Sequence, residues 1–208
     1  MQATVNGDVM GTQTPAVRLT DPYEALSSLE EAVPGLAALR RTEPARIDWA
    51  AAEGRLETVL PQDFKLLAEL YPDLQFGDYM TLHTPLPGEE EAWAEAAVEE
   101  GEDVADLINL ADLGAVLAPY PAPGGLLTWG SSNQGDTFLW TTEGTGPEAW
   151  KVTVASRSGD WWHYTAGAVQ FTADLISGAL APWGLPRVRP EVVALGQTPH
   201  ASDELAGG

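Results

Sequence analysis

The pattern of hydrophobic and polar positions is sharpest between Pro123 and Trp150. Leu126-Leu127-Thr128-Trp129, Thr137-Phe138-Leu139-Trp140 and, after Trp150, Lys151-Val152-Thr153-Val154 are rich in β-branched and aromatic residues and are separated by Gly, Ser, Asn and Pro. Such punctuation predicts a β-meander. Asn133-Gln134-Gly135-Asp136 supplies a turn, with Gly135 free to take positive φ. Phe138 and Trp140 fall on one face of their strand, Thr137 and Leu139 on the other. Asp160-Trp161-Trp162-His163-Tyr164 predicts a further strand. Trp129, Trp140 and Trp150 at this spacing read as the core of a half-buried sheet, with an aromatic cage as the alternative.

Elsewhere the period is helical. Asp21 is placed to cap a helix, with Pro22 at the first helical position, Glu24 closing a capping box, and Tyr23, Leu26 and Leu29 as its stripe before Pro34-Gly35. Asp48 is the next cap; Trp49, Ala52 and Leu56 share a face, Glu53 points more outward and Gly54 weakens the helix. Leu60-Pro61-Gln62-Asp63 starts another helix, with Phe64, Leu67, Ala68 and Tyr71 inward and Pro72 at its end. Leu74 to Phe76 and Tyr79 to His83 read as short strands around Gly77-Asp78. Glu89 to Leu113 predicts a long helix with an approximate apolar stripe of Trp93, Ala97, Val104, Leu107, Ile108 and Ala111, divided in two at Gly101. Val169 to Ile176 predicts a final helix ending near Gly178. The expected organisation is a loose arm over 1–20, one α+β domain over 21–180, and an extended, partly disordered tail over 181–208.

Charge changes this picture most. The chain has 208 residues, with 31 Asp plus Glu against 10 Lys plus Arg, a net charge of −21. No Lys or Arg lies between Lys65 and Lys151, a window holding 16 carboxylates. Such a chain repels nucleic acid and anionic membrane, whose recognition needs Lys and Arg against phosphate. It attracts basic proteins by electrostatic steering, although acidic surfaces also serve solubility alone. No run of 18 apolar residues spans a membrane, and the first residues show no basic, then apolar, leader. Cysteine is absent, which removes disulfides, thiolate zinc sites and cysteine nucleophiles and fits a cytoplasmic location.

The chemistry of catalysis is thin. Histidine occurs at His83, His163 and His200, too few for a histidine metal site. A hydrolytic triad would have to crowd Ser158, Asp160 and His163 into one hairpin, without a nucleophile elbow. The acidic run lacks the spaced Asp/Asn-Gly loop of an EF-hand, and Gly124-Gly125 is not followed by the Gly-Lys-Ser/Thr of a phosphate loop. The expectation is a binding protein, not an enzyme, with no cofactor and no metal.

The order of the pieces resembles the SUKH superfamily. Asp48-Trp49, Leu60-Pro61-Gln62-Asp63-Phe64, Tyr71, Phe76-Gly77-Asp78-Tyr79 and Leu82-His83-Thr84-Pro85 are similar to its first half. Gly125-Leu126-Leu127-Thr128-Trp129-Gly130, Gly135-Asp136-Thr137-Phe138-Leu139-Trp140, Trp150-Lys151-Val152, Trp161 and Phe171-Thr172-Ala173-Asp174-Leu175-Ile176-Ser177-Gly178 are similar to its second. Glu57-Thr58-Val59 departs from the pattern, standing where a Gly is expected at a helix end. The resemblance implies a single α+β domain, a mixed sheet with a C-terminal meander flanked by helices, and no catalytic residues. Many bacterial members are immunity proteins that bind and neutralise toxins, often nucleases; fungal members are regulatory scaffolds in cell-wall signalling. A toxin that attacks nucleic acid carries a basic cleft, which an acidic protein can fill in place of phosphate. The acidic helix is the expected partner surface, through Glu89, Glu90, Glu91, Glu95, Glu99, Glu100, Glu102 and Asp103. The alternative is a regulatory or scaffolding module without a toxin partner.

Overall fold

The computed structural model describes residues 10–195. Among them, five α-helices and one eight-stranded mixed sheet form an α+β fold. The strands are β1 (Gly11–Gln13), β2 (Leu74–Phe76), β3 (Met80–Leu82), β4 (Leu126–Ser132), β5 (Thr137–Thr141), β6 (Lys151–Ala155), β7 (Trp161–Tyr164) and β8 (Val192–Ala194), in spatial order β1-β7-β6-β5-β4-β3-β2-β8. All neighbours are antiparallel except β1, which runs parallel to β7. The helices are α1 (Pro22–Ala32), α2 (Trp49–Leu56), α3 (Gln62–Leu70), α4 (Glu90–Leu110) and α5 (Ala168–Ser177).

The alternation in β5 sorts the core into two clusters. Phe138 and Trp140 join Trp129, Val152, Val154, Trp162 and Tyr164 in a large cluster with residues of α1, α3 and α5. Leu139 lies on the other face, with Leu126 and Ala155, under Val104 and Ile108 of α4. Trp129 and Trp140 are fully buried and Trp150 nearly so, so all three are core. Phe171 of α5 sits at the centre, with its ring 5.7 to 5.9 Å from those of Trp129, Phe138, Trp162 and Tyr164. Burying each such side chain contributes about 2–3 kcal/mol.

Local signals place the helix ends. The Asp21 side chain accepts from the Tyr23 and Glu24 amides, and Pro22 opens α1. Asp48 accepts from the Ala51 amide at the start of α2. At the end of α2, Glu57 adopts φ 55°, a left-handed conformation that glycine takes at no steric cost. Glu53, expected to point outward, instead turns to Lys65 Nζ at 2.7 Å and to the Leu60 amide, tying α2 to α3.

Two expectations about the flanks are corrected. Residues 10–20 are not a loose arm: β1 pairs with β7, and Gln170 of α5 accepts from the Leu19 amide and donates to the Val17 carbonyl. The chain beyond 180 likewise docks as far as it is described. Gln13 and Ala181 exchange two hydrogen bonds, Leu185 and Val188 are buried, and β8 pairs with β2. Residues 1–9 and 196–208, including His200, lie outside the described residues.

Glu57 offers a direct test of the helix end. Its side chain is exposed, so Glu57→Gly relieves the left-handed strain without removing packing. The substitution is expected to raise stability by about 0.5–1 kcal/mol, read as a higher urea midpoint with unchanged m-value.

Candidate functional site

The acidic face is built on α4. Its inward positions, Ala94, Val104 and Ile108, are buried, and Trp93 stacks on Phe64 with centroids 6.2 Å apart while its indole N–H donates to the His83 carbonyl. With these contacts holding one side of the helix, Glu91, Glu95, Glu99, Glu102 and Asp106 share the opposite side. At 3.6 residues per turn they fall within an arc of about 80° and span about 22 Å. All five are exposed, as are Glu89 and Asp103, and Glu100 is half-buried at the border. Neighbours three and four residues apart carry like charge along this stripe, an arrangement that costs a few tenths of a kcal/mol per pair. Arg55 of α2 reaches Glu95 at 3.1 Å, an exposed pair that contributes little.

Two sequence expectations fail here. Gly101 does not divide the helix: α4 is continuous from Glu90 to Leu110. A Cβ at Gly101 would lie 3.0 Å from the Tyr120 carbonyl oxygen, so the glycine serves a close approach of the following loop. Glu90 does not belong to the outer surface either. It is 6% exposed and accepts from the Asp48 amide at 3.0 Å and the Gly88 amide at 2.9 Å, bonds that hold its carboxyl below the usual range. Glu90 is a strut between the starts of α2 and α4.

Two further buried carboxylates escaped the sequence reading. Asp136 accepts from the Tyr79 hydroxyl, from Ser132 Oγ at 2.6 Å and from the Arg157 amide at 2.9 Å, locking the β4–β5 turn to the β3 entry and the β6–β7 turn. Burial and this carboxylate together raise the Tyr79 hydroxyl far above its ordinary range. Asp63, in the first turn of α3, reaches across to α5 and accepts from the Val169 amide at 3.2 Å. The residue before α5 is Gly167, which has no side chain to cap with. A Cβ there would meet Asp63 Oδ2 at 2.4 Å, so Asp63 occupies the place of the missing cap. An uncapped helix start after Gly167 was the available signal. Burial pushes the Asp63 carboxyl up from 3.8 to about 6, against the lowering effect of the amides it accepts from.

The remaining candidates are dispersed. Ser158 Oγ donates to Asp160 Oδ2 at 2.8 Å inside the β6–β7 turn, while His163 Nδ1 meets Thr153 Oγ1 at 2.8 Å between the two strands. His83 Nε2 meets Ser131 Oγ at 2.9 Å. Among the described residues no group of three or more His, Asp or Glu is arranged to hold a metal ion, and no helix is long and apolar enough to cross a membrane. No family model, curated protein or solved structure matches the chain.

The raised Asp63 carboxyl gives a signed pH dependence. Between pH 3.8 and about 6 the folded chain holds a proton that the unfolded chain has released. This group therefore contributes most stability below the lower value, and roughly 2–3 kcal/mol of it is lost as pH rises through the upper one. Urea unfolding of the wild type and of Asp63→Asn, compared across this window, is expected to show the difference: the Asn variant lacks this part of the decline.

Proposed function

We propose that this chain is a SUKH-type immunity protein of the cytoplasm, which neutralises a cognate basic toxin, a nuclease by preference, through direct contact along α4. The observation that carries the reading is the exposed stripe of Glu91, Glu95, Glu99, Glu102 and Asp106. It sets like charges against one another along one helix, at a cost to stability, on a face the core does not use. Local rules broken without a structural return point to a functional surface. The resemblance to the SUKH superfamily, many of whose bacterial members are immunity proteins, motivates the same reading, and the α+β fold agrees with what that resemblance implies.

A surface of this kind acts mainly on encounter. Its field speeds association with a positive cleft and is screened by salt, while rim carboxylates themselves add little to the final affinity. Glu90 has no part in this, because it is spent on backbone amides.

The test starts with tagged full-length protein, used to capture partners from lysate of its own source at low and high salt. A basic partner that kills cells when expressed alone, and is silenced by co-expression of this chain, is the expected result. A neutral partner whose binding ignores salt would support the scaffolding alternative instead. Replacing Glu91, Glu95, Glu99 and Glu102 with Gln and Asp106 with Asn is expected to slow association about tenfold or more at low salt and to flatten its salt dependence. The same variant should be more stable than wild type, by about 0.5–1 kcal/mol, as the like-charge contacts disappear. Unchanged association kinetics would remove the stripe from the interface.

A further inference from the structure

The acidic stripe runs directly into an apolar groove. Leu107 and Leu110 at the end of α4, with Met10, Leu113, Ala155 and Trp161, border an open-sided groove of about 610 Å³ on the second face of the sheet. Leu110 is 86% exposed, the most exposed large hydrophobic residue described. Asp106 precedes it by one turn, and Asp103 precedes Leu107 by one turn, so carboxylates and groove wall are neighbours on one helix surface. Leu110 and the recess beside it together offer a partner apolar surface to cover. Volume and lining suit one or two apolar side chains more than a small polar ligand. Arg157, which is exposed, also lines the groove.

We propose that this groove seats an apolar side chain at the end of a lysine- or arginine-rich segment of a protein partner, whose basic residues lie along the α4 stripe. Charge complementarity selects the occupant, because anything entering over Asp103 and Asp106 is drawn in if basic and repelled if acidic. The stripe then governs the encounter and the groove the lifetime of the complex, the usual division between a charged rim and a buried anchor. The proposal rests on the reading of α4 as a binding surface but not on the partner being a toxin.

The full chain, labelled with ¹⁵N, is titrated with two synthetic helical peptides. One is lysine-rich and ends in Leu and Phe; the other carries Ser at those two positions. The first is expected to move the backbone amides of Leu107 to Leu113 and the Trp161 indole, and to bind about tenfold more tightly than the second, which moves only amides of the stripe. Leu110→Gln should abolish the gain without altering binding of the serine peptide, and Leu110→Met should keep it. An otherwise unchanged amide spectrum checks that these exposed substitutions leave the fold intact. Equal affinity for the two peptides, or a gain that survives Leu110→Gln, overturns the proposal. So does equally tight binding of an acidic peptide with the same Leu-Phe end. A toxin silenced equally well by Leu110→Gln would sink the groove and leave the immunity reading standing; groove binding without any toxin partner would do the reverse.

Discussion

The packing of Phe171 against four aromatic side chains of the sheet is the contact on which the other elements depend. Trp129, Phe138, Trp162 and Tyr164 come from three strands, β4, β5 and β7, and one ring from α5 meets them all. Because side chains alternate across a strand, committing these positions to one face sends Leu126, Leu139 and Ala155 to the other. That second face then needs its own cover. Val104 and Ile108 supply it, and so the aromatic layer on one side determines which side of α4 is left to water on the other.

The seating of α5 depends in turn on a carboxylate borrowed from α3. Asp63 both caps the helix start and excludes any side chain at Gly167, so two helices far apart in sequence are held in one relation. Asp136 does similar work among three turns at one end of the sheet, and Glu90 between α2 and α4. Each buried acid is satisfied by backbone amides or hydroxyls instead of by a cation, an economical solution in a chain with few Lys and Arg.

What could be read from the sequence followed from how far each signal reaches along the chain. The Asp21-Pro22 start of α1, the Asp48 cap, the turn around Gly135 and the division of Phe138 and Trp140 from Leu139 rest on neighbours within a few residues, and all are present. Glu90 and Gly101 were misread because their partners, Asp48 and Tyr120, are distant in sequence; in a run of glutamates nothing local separates the strut from the surface. β1 and β8 are three residues each, too short to show a period, and their pairing is set wholly by strands elsewhere. The exposed part of the stripe was legible because a helix with one apolar side has only one other side to offer. The groove beside Leu110 was not, since it needs Met10 and Trp161, far apart in sequence, to converge on the end of α4.

The placing of β1 and β8 bears on how the sheet is completed. Both strands border the sheet, and each joins a partner far away in sequence: Gly11–Gln13 lies against Trp162–Tyr164, and Val192–Ala194 against Leu74–Phe76. Until both have docked, β7 and β2 each present a row of unpaired amides and carbonyls able to accept a strand from any neighbour. Contacts of such long sequence separation form late, after the loop-closure cost has been met. During that interval β7 and β2 are the borders of the sheet; once β1 and β8 have docked, each border is a strand of only three residues, which offers little backbone to another chain.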